Sequence, residues 1–286
     1  MPFENTRRID CTPEEYFELP YVSNSDISNF LVHPRLFRDR PEKDSDALRF
    51  GSAVDCFLLT PDDFTSRYVV APDGIAMPTT DMQRLFVQLL MEGVPEDEAL
   101  YKAGYKKRSV KRDDFSQLLD LKEEAAGRDV ILPDDWALIR AIASAVRDHI
   151  HAQRIIDTAD KQVVFVADHT LTGLTCKCMI DLAWQDMVID MKTTAKRTSR
   201  EFLWQVRDFG YARQLAMYSG ISGKDVGGWL VLFKDPVEVR LFDGMDHAER
   251  AVPDLESALL RLSWHMEHDL WDYRYEYYEN EGWESL

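Results

Sequence analysis

Asp181 and the run Asp190-Met191-Lys192 are the residues of this chain most suited to do chemistry. On a β-strand side chains alternate between faces, so Asp190 and Lys192 point one way and Met191 the other. CKCMIDLAW and MVIDMKT both read as strands, with Gln185-Asp186 as the turn between them. If two residues make the turn, Trp184 pairs with Met187 and Asp181 falls opposite Asp190. Two carboxylates so placed sit roughly 5 Å apart at Cβ and repel. A divalent cation between them removes the penalty, and hard oxygen ligands suit Mg²⁺ or Mn²⁺. Lys192 would then reach a phosphate or water at the metal, the outline of a phosphodiester-cleaving site. The same residues also fit an exposed hairpin whose lysine neutralises two acids, and a longer loop would shift the register.

The elements around the acids bear on the choice. Residues 22–40 open with capping residues and read as a short amphipathic helix stopped near His33-Pro34. Residues 46–59 form a second helix, RYVVAP a short strand, and 81 to about 157 a helical stretch. The period then switches to two in QVVFVAD, LTCKCMIDLAW and MVIDMKTT, the first pair joined at Leu171-Thr172-Gly173. Thr198 and Glu201 make a capping-box pattern opening a helix over 199–220. GWLVLFKD and VEVRLFD are further strands, and 246–268 a helix interrupted near Pro253. The whole predicts one α/β domain over residues 1–286. Residues 1–157 would be its mainly helical part, with a basic helical insertion over about 81–130, and 158–286 would hold the meander and the later strands and helices.

The chain has 286 residues, 45% hydrophobic and 11% aromatic, as in an ordinary globular protein with ample length for a core. No run of about 18 apolar residues occurs and the first residues lack the apolar core of a signal peptide. The expected location is therefore the cytoplasm, away from membranes. Cys11, Cys56, Cys176 and Cys178 read as reduced thiols, the last two as buried small hydrophobes on one strand face. A net charge of −17 argues against a surface that coats nucleic acid nonspecifically, but not against a local basic channel. Positive charge gathers at Lys102, Lys106, Lys107, Arg108, Lys111 and Arg112, and again at Lys192, Lys196, Arg197 and Arg200. PEDEALYKAGYKKRSVKR fits either a helix-turn-helix or a helical arm with a solvated basic face. The acidic, aromatic stretch Glu267 to Glu284 fits a helix and tail packed by its rings, or an acidic partner-binding or DNA-mimicking tail.

Four ordered blocks resemble the PD-(D/E)XK nucleases, specifically the phage-type RecE exonuclease (exonuclease VIII C-terminal) family. They are SNSDISNFLVHPRLFR, ALRFGSAVDCFLLTPDDFTSRYVVAP, TGLTCKCMIDLAW with VIDMKTTAKRTSREF, and GYARQLAMYSG, the last resembling a QxxxY helix. The resemblance implies a restriction-endonuclease-like α/β core, a central mixed sheet flanked by helices, with a helical N-terminal elaboration. It implies that Asp181, Asp190 and the Met191 backbone carbonyl bind the catalytic metal while Lys192 orients or activates the attacking water. Gln214 and Tyr218 would line the site near DNA, with Arg49 and Thr193 as further contacts to the substrate. Arg49 fits a bidentate phosphate contact or a plain salt bridge.

Two positions depart from the family pattern. Asp55 stands where the family has a histidine, and fits a metal ligand or a helix-surface residue. Gln162 stands near an expected glutamate and cannot neutralise a second cation. The cysteines of the superfamily's iron–sulfur branch are missing, so no cluster is expected. The implied activity is a Mg²⁺-dependent exonuclease, with Mn²⁺ able to substitute, acting 5′-to-3′ on ends of double-stranded DNA and leaving 3′ tails for phage-type recombination in a bacterial or phage-infected cell. The implied partners are a RecT-like single-strand annealing protein and further copies of the chain in a ring. The alternatives are an endonuclease or single-strand or branched-DNA nuclease of the same fold, and a catalytically degenerate DNA-binding module.

Overall fold

A computed structural model describes residues 2–41, 45–106 and 109–279. The chain divides into two compact units, Met1–Leu59 with Ala141–Leu286, and Thr60–Arg140.

The first unit begins with β1 (Phe3–Ile9), α1 (Pro13–Glu18), α2 (Asn24–Val32), α3 (Pro34–Asp39) and α4 (Asp46–Leu59). Both α1 and α2 start on capping boxes, Thr12 with Glu15 and Ser23 with Asp26, which satisfy amide groups the first turn leaves unpaired. Neither β1 nor α1 was expected from the sequence. The strand FENTRRI has an exposed interior with no alternation, as suits a charged edge strand.

The second unit holds α5 (Phe64–Arg67), β2 (Tyr68–Val70), α6 (Asp81–Met91), α7 (Glu96–Lys102), α8 (Ser116–Ala125) and β3 (Asp129–Ile131), which pairs in parallel with β2. It has its own core, including Phe86, Leu90, Leu100, Phe115 and Leu118. The stretch expected as a basic helical insertion lies within it. The helix-turn-helix reading is not met, because α7 ends at Lys102, Gly104 just beyond it takes φ 88°, and the described residues from Tyr105 to Lys111 form no helix. Lys107 and Arg108 lie outside the described residues.

α9 (Pro133–Asp148) carries the chain back to the first unit, where α10 (Ile150–Thr158) precedes β4 (Asp160–His169), β5 (Thr175–Trp184) and β6 (Met187–Thr194). Then come α11 (Ser199–Asp208), α12 (Tyr211–Ser222), β7 (Asp225–Lys234), β8 (Val237–Asp243), α13 (Met245–His268) and α14 (Tyr275–Glu279). Among the described residues six strands form one sheet in the order β1-β4-β5-β6-β7-β8, antiparallel except for the parallel β6–β7 pair. α11 and α12 make the crossover a parallel pair requires. The result is the mixed sheet flanked by helices that the sequence implied.

Two helix expectations need correction. The helix expected over 199–220 is split, because Gly210 takes φ 67°, a left-handed conformation that suits glycine, between α11 and α12. Conversely, α13 is not interrupted at Pro253. Pro253 and Glu249, whose carbonyl loses its partner, are both exposed, while Ala251, Leu255, Ala258, Leu259 and Leu262 hold the other face in the core. α12 is buried from Leu215 to Ile221, between the sheet and α13, so its pattern is apolar nearly all round. The described part of the acidic tail is packed by its rings, with Trp264 against Tyr275 and Tyr278, and Tyr273 stacked on Tyr277. The tail beyond Glu279 lies outside the described residues.

Candidate active site

The β5–β6 register is the expected one, with Trp184 opposite Met187, Ala183 opposite Val188 and Leu182 opposite Ile189. Gln185 in the turn has φ 53°, the positive φ that a tight hairpin turn demands. The ladder stops at Leu182–Ile189, one pair short of Asp181 and Asp190. There the Met191 N–H donates to Asp181 Oδ2 at 2.8 Å instead of to a strand partner. On the other side of Asp181 the pairs Lys161–Leu182 and Val163–Ile180 leave Gln162 opposite it, with φ 51°, strained for a residue other than glycine. Asp181 thus sits where β5 breaks from both neighbours. The fork is filled from the N-terminal segment: the Val22 N–H donates to the Thr175 carbonyl at 3.0 Å, and the Lys177 N–H to the Val22 carbonyl at 2.8 Å.

Asp190 is 2% exposed. Lys192 Nζ donates to its Oδ1 at 3.0 Å, and Gln214 Nε2, from α12, donates to the same oxygen at 2.9 Å. Gln214 Nε2 also lies 3.1 Å from Tyr218 Oη, so the amide ties the acid to the phenol one turn on. Asp190 Oδ2 faces Lys192 Nζ at 2.7 Å as an ion pair but receives no well-directed hydrogen bond. The ammonium also sits 4.8 Å from the Tyr211 ring centroid. Met191 turns the other way and is buried, as alternation requires.

Crowding dominates the electrostatics. Burial, then the charge of Asp190, pushes the Asp181 carboxyl up to about 7. Burial also raises Asp190, against the pull of Lys192. Burial and then Asp181 hold Asp55 well above the ordinary carboxylate range. Lys192 is disfavoured as an ion by burial, but Asp190 and Asp181 outweigh this and raise it.

These residues fit a hard divalent cation. Oxygen donors predominate, they repel one another without a cation, and Asp190 Oδ2 lacks a directed donor. Among the described residues no three His, Cys, Asp or Glu side chains close into a cage. The fit is therefore to an ion such as Mg²⁺ that keeps several waters beside one or two carboxylates.

The other candidates are placed unevenly. Asp55 lies on α4 within the field of both acids. A Cβ on Gly51 of the same helix would stand 3.5 Å from Thr193 Oγ1, so α4 runs beside β6 there. Arg49 is exposed and ion-paired with Asp46 one turn earlier. Cys176 and Cys178 are buried free thiols, the first pushed by burial up to about 12.

Two residues went unnoticed in the sequence. Tyr16 is 5% exposed, and Asp181 is among the charges acting on its hydroxyl. Lys177 is 4% exposed, and its Nζ donates to the carbonyls of Tyr16 at 2.9 Å and Leu19 at 2.8 Å while standing 4.8 Å from the Tyr16 ring centroid. A lysine between two cysteines gives no hint that its partners are backbone carbonyls of a distant helix.

Among the described residues no helix is long and apolar enough to cross a membrane. No curated protein matches the chain in sequence. A crystal structure described as a "Putative exonuclease" from Eubacterium rectale is similar in fold, with TM-score 0.56 and 16% identity, over 97% of this chain and 96% of that one. Residues 34–230, which run from α3 past both acids and the Gln214–Tyr218 helix into β7, match the model of a PDDEXK-like domain of unknown function (DUF3799). With more than half its length in that match, the chain belongs to this PDDEXK-like family.

Proposed function

We propose that the protein is a divalent-metal-dependent deoxyribonuclease that hydrolyses phosphodiester bonds from the ends of linear double-stranded DNA. The observation that carries this reading is Asp190, buried between Lys192 and Gln214, with the charge of Asp190 acting on the buried Asp181 carboxyl. Asp181 and Asp190 would hold the cation, with the Met191 carbonyl and Asp55 as further oxygen donors. A bound Mg²⁺, or Mn²⁺ in its place, supplies polarisation of the scissile phosphate and a more acidic water.

The chain's own residues do the rest. Lys192, its ammonium fixed by Asp190 and the Tyr211 ring, orients a water or a phosphate oxygen. Gln214 holds Asp190 in place, and Tyr218 holds Gln214. Thr193 on β6 and Arg49 on α4 would contact the DNA backbone. Attack at an end would proceed 5′-to-3′ and leave 3′ tails, as the RecE-type resemblance suggests. A ring of copies around the duplex and a RecT-like annealing protein would complete a recombination pathway in the bacterial cytoplasm.

Linear and covalently closed plasmid, incubated with Mg²⁺, test the reading. Loss of the linear form alone supports an exonuclease. Nicking or linearisation of the closed circle indicates an endonuclease, and cleavage of neither form with Mg²⁺ or Mn²⁺ leaves a binding module.

A further inference from the structure

α11 leads away from the catalytic strand and presents an unusual face. Arg200, Leu203, Trp204 and Arg207 are spaced i, i+3, i+4, i+7, so they share one stripe of the helix. Phe202 and Val206 are buried on the opposite side. Trp204 is 55% exposed, Leu203 39%, and Phe209, just past the helix, 56%. The Arg200 guanidinium lies 5.5 Å from the centroid of the Trp204 ring, which pre-arranges cation and aromatic face together.

The C-terminal end of α11 adjoins the site. The Lys192 ammonium stands over the Tyr211 ring, and that ring meets Phe209 edge to face at 5.7 Å between centroids. An aromatic path therefore runs from the catalytic lysine to the exposed end of α11. On a chain of net charge −17, this face adds two arginines to Lys196 in the preceding loop, with Asp208 at its margin.

We propose that the α11 face is a binding track for single-stranded DNA leaving the active site, with Phe209 and Trp204 as stacking platforms for bases and Arg200 and Arg207 as phosphate contacts. This rests on the nuclease reading and deepens it. Flat ring faces suit unpaired bases, whereas paired ones are already stacked, and removing one strand of a duplex end leaves the other unpaired beside the site. The alternating aromatic and cationic residues match a polyanion whose bases are free to stack.

The test uses the full chain in EDTA, so that binding is read without cleavage. Fluorescence anisotropy would follow a labelled oligothymidylate of about 20 nucleotides, longer than a single-domain site, and a blunt duplex of the same length. Trp204→Ala and Phe209→Ala should each weaken oligothymidylate binding about tenfold, while Trp204→Phe stays near wild type. Arg200→Gln with Arg207→Gln should flatten the salt dependence by about one unit of log–log slope. Unaltered circular dichroism confirms that each variant is folded.

Oligothymidylate affinity that stays at the wild-type level in both alanine variants would overturn the proposal. So would loss of duplex binding alone, or a change of oligomeric state on light scattering in Trp204→Ala, which would make the face a seat for another copy. The two readings fail separately. A protein that binds as described but cuts no DNA sinks the nuclease assignment only, and one that cuts DNA while Trp204→Ala binds normally sinks the track only.

Discussion

Two nearly buried lysines sit on adjacent strands, and their surroundings differ in kind. Lys177 on β5 gives its protons to carbonyls at the end of α1, and burial holds its pKa below the ordinary value. Lys192 on β6 lies against Asp190 and near Asp181, which raise its pKa despite burial. Lys177 ends a helix whose last carbonyls would otherwise be unpaired, and so fixes the chain across the β5–β6 fork. Around Lys192 two or three carboxylates share too little positive charge, a cost that folding alone would not retain. The contrast separates a lysine that builds the fork from one that we propose serves chemistry inside it.

The largest effects should come from the carboxylate side. Lys192→Ala, Asp181→Ala and Asp190→Ala should each lower DNA cleavage by about a thousandfold or more, with DNA binding in EDTA largely kept. Wild-type cleavage by Lys192→Ala would erase the contrast. Next comes Lys177→Met, which leaves carbonyls of α1 without donors. It should lower the free energy of unfolding in urea by about 2–4 kcal/mol, while the folded fraction keeps most of its turnover. A variant as stable as wild type yet inactive would move Lys177 into the chemistry.

The pH dependence sharpens the same point. The Asp181 carboxyl titrates near 7 in the folded protein and near 3.9 in an unfolded chain. A raised folded value means that the stabilisation is complete below about pH 4 and is lost as pH rises through about 7. Metal-free wild type should therefore melt progressively lower than Asp181→Asn between those limits, by several degrees at pH 8. Mn²⁺ should close the gap at pH 8 and do little at pH 4.5; parallel melting curves across this range would remove the crowding argument. The smallest effect is expected for Tyr16→Phe, which links the two regions and should change cleavage only a few-fold, checked by initial rates.

What could be read from the sequence was local. The hairpin register followed from strand alternation and a two-residue turn, so the pairing of Trp184 with Met187 was enough to bring Asp181 towards Asp190. The placing of Gln214 and Tyr218 beside the acid needed the ordered motifs, since nothing in a helix pattern says which face meets a carboxylate. Hidden were features that depend on distant chain. The strands part beyond Leu182 because residues near Val22 pair with β5 instead, a contact more than 150 residues away in sequence. Lys177 went unnoticed for the same reason, since its acceptors lie near Tyr16 and Leu19. Gly210 broke a helix that the capping box at Thr198 had opened, and Pro253 failed to break one because its solvent side needed no internal partner.

Diffraction at the manganese edge from crystals soaked in Mn²⁺ goes most directly to whether Asp181 and Asp190 together hold a cation. An anomalous peak touching both carboxylates, with Lys192 alongside and no peak in Asp190→Asn, is the expected result. A wild-type crystal with no peak between those acids, or with manganese bound only elsewhere, would contradict it.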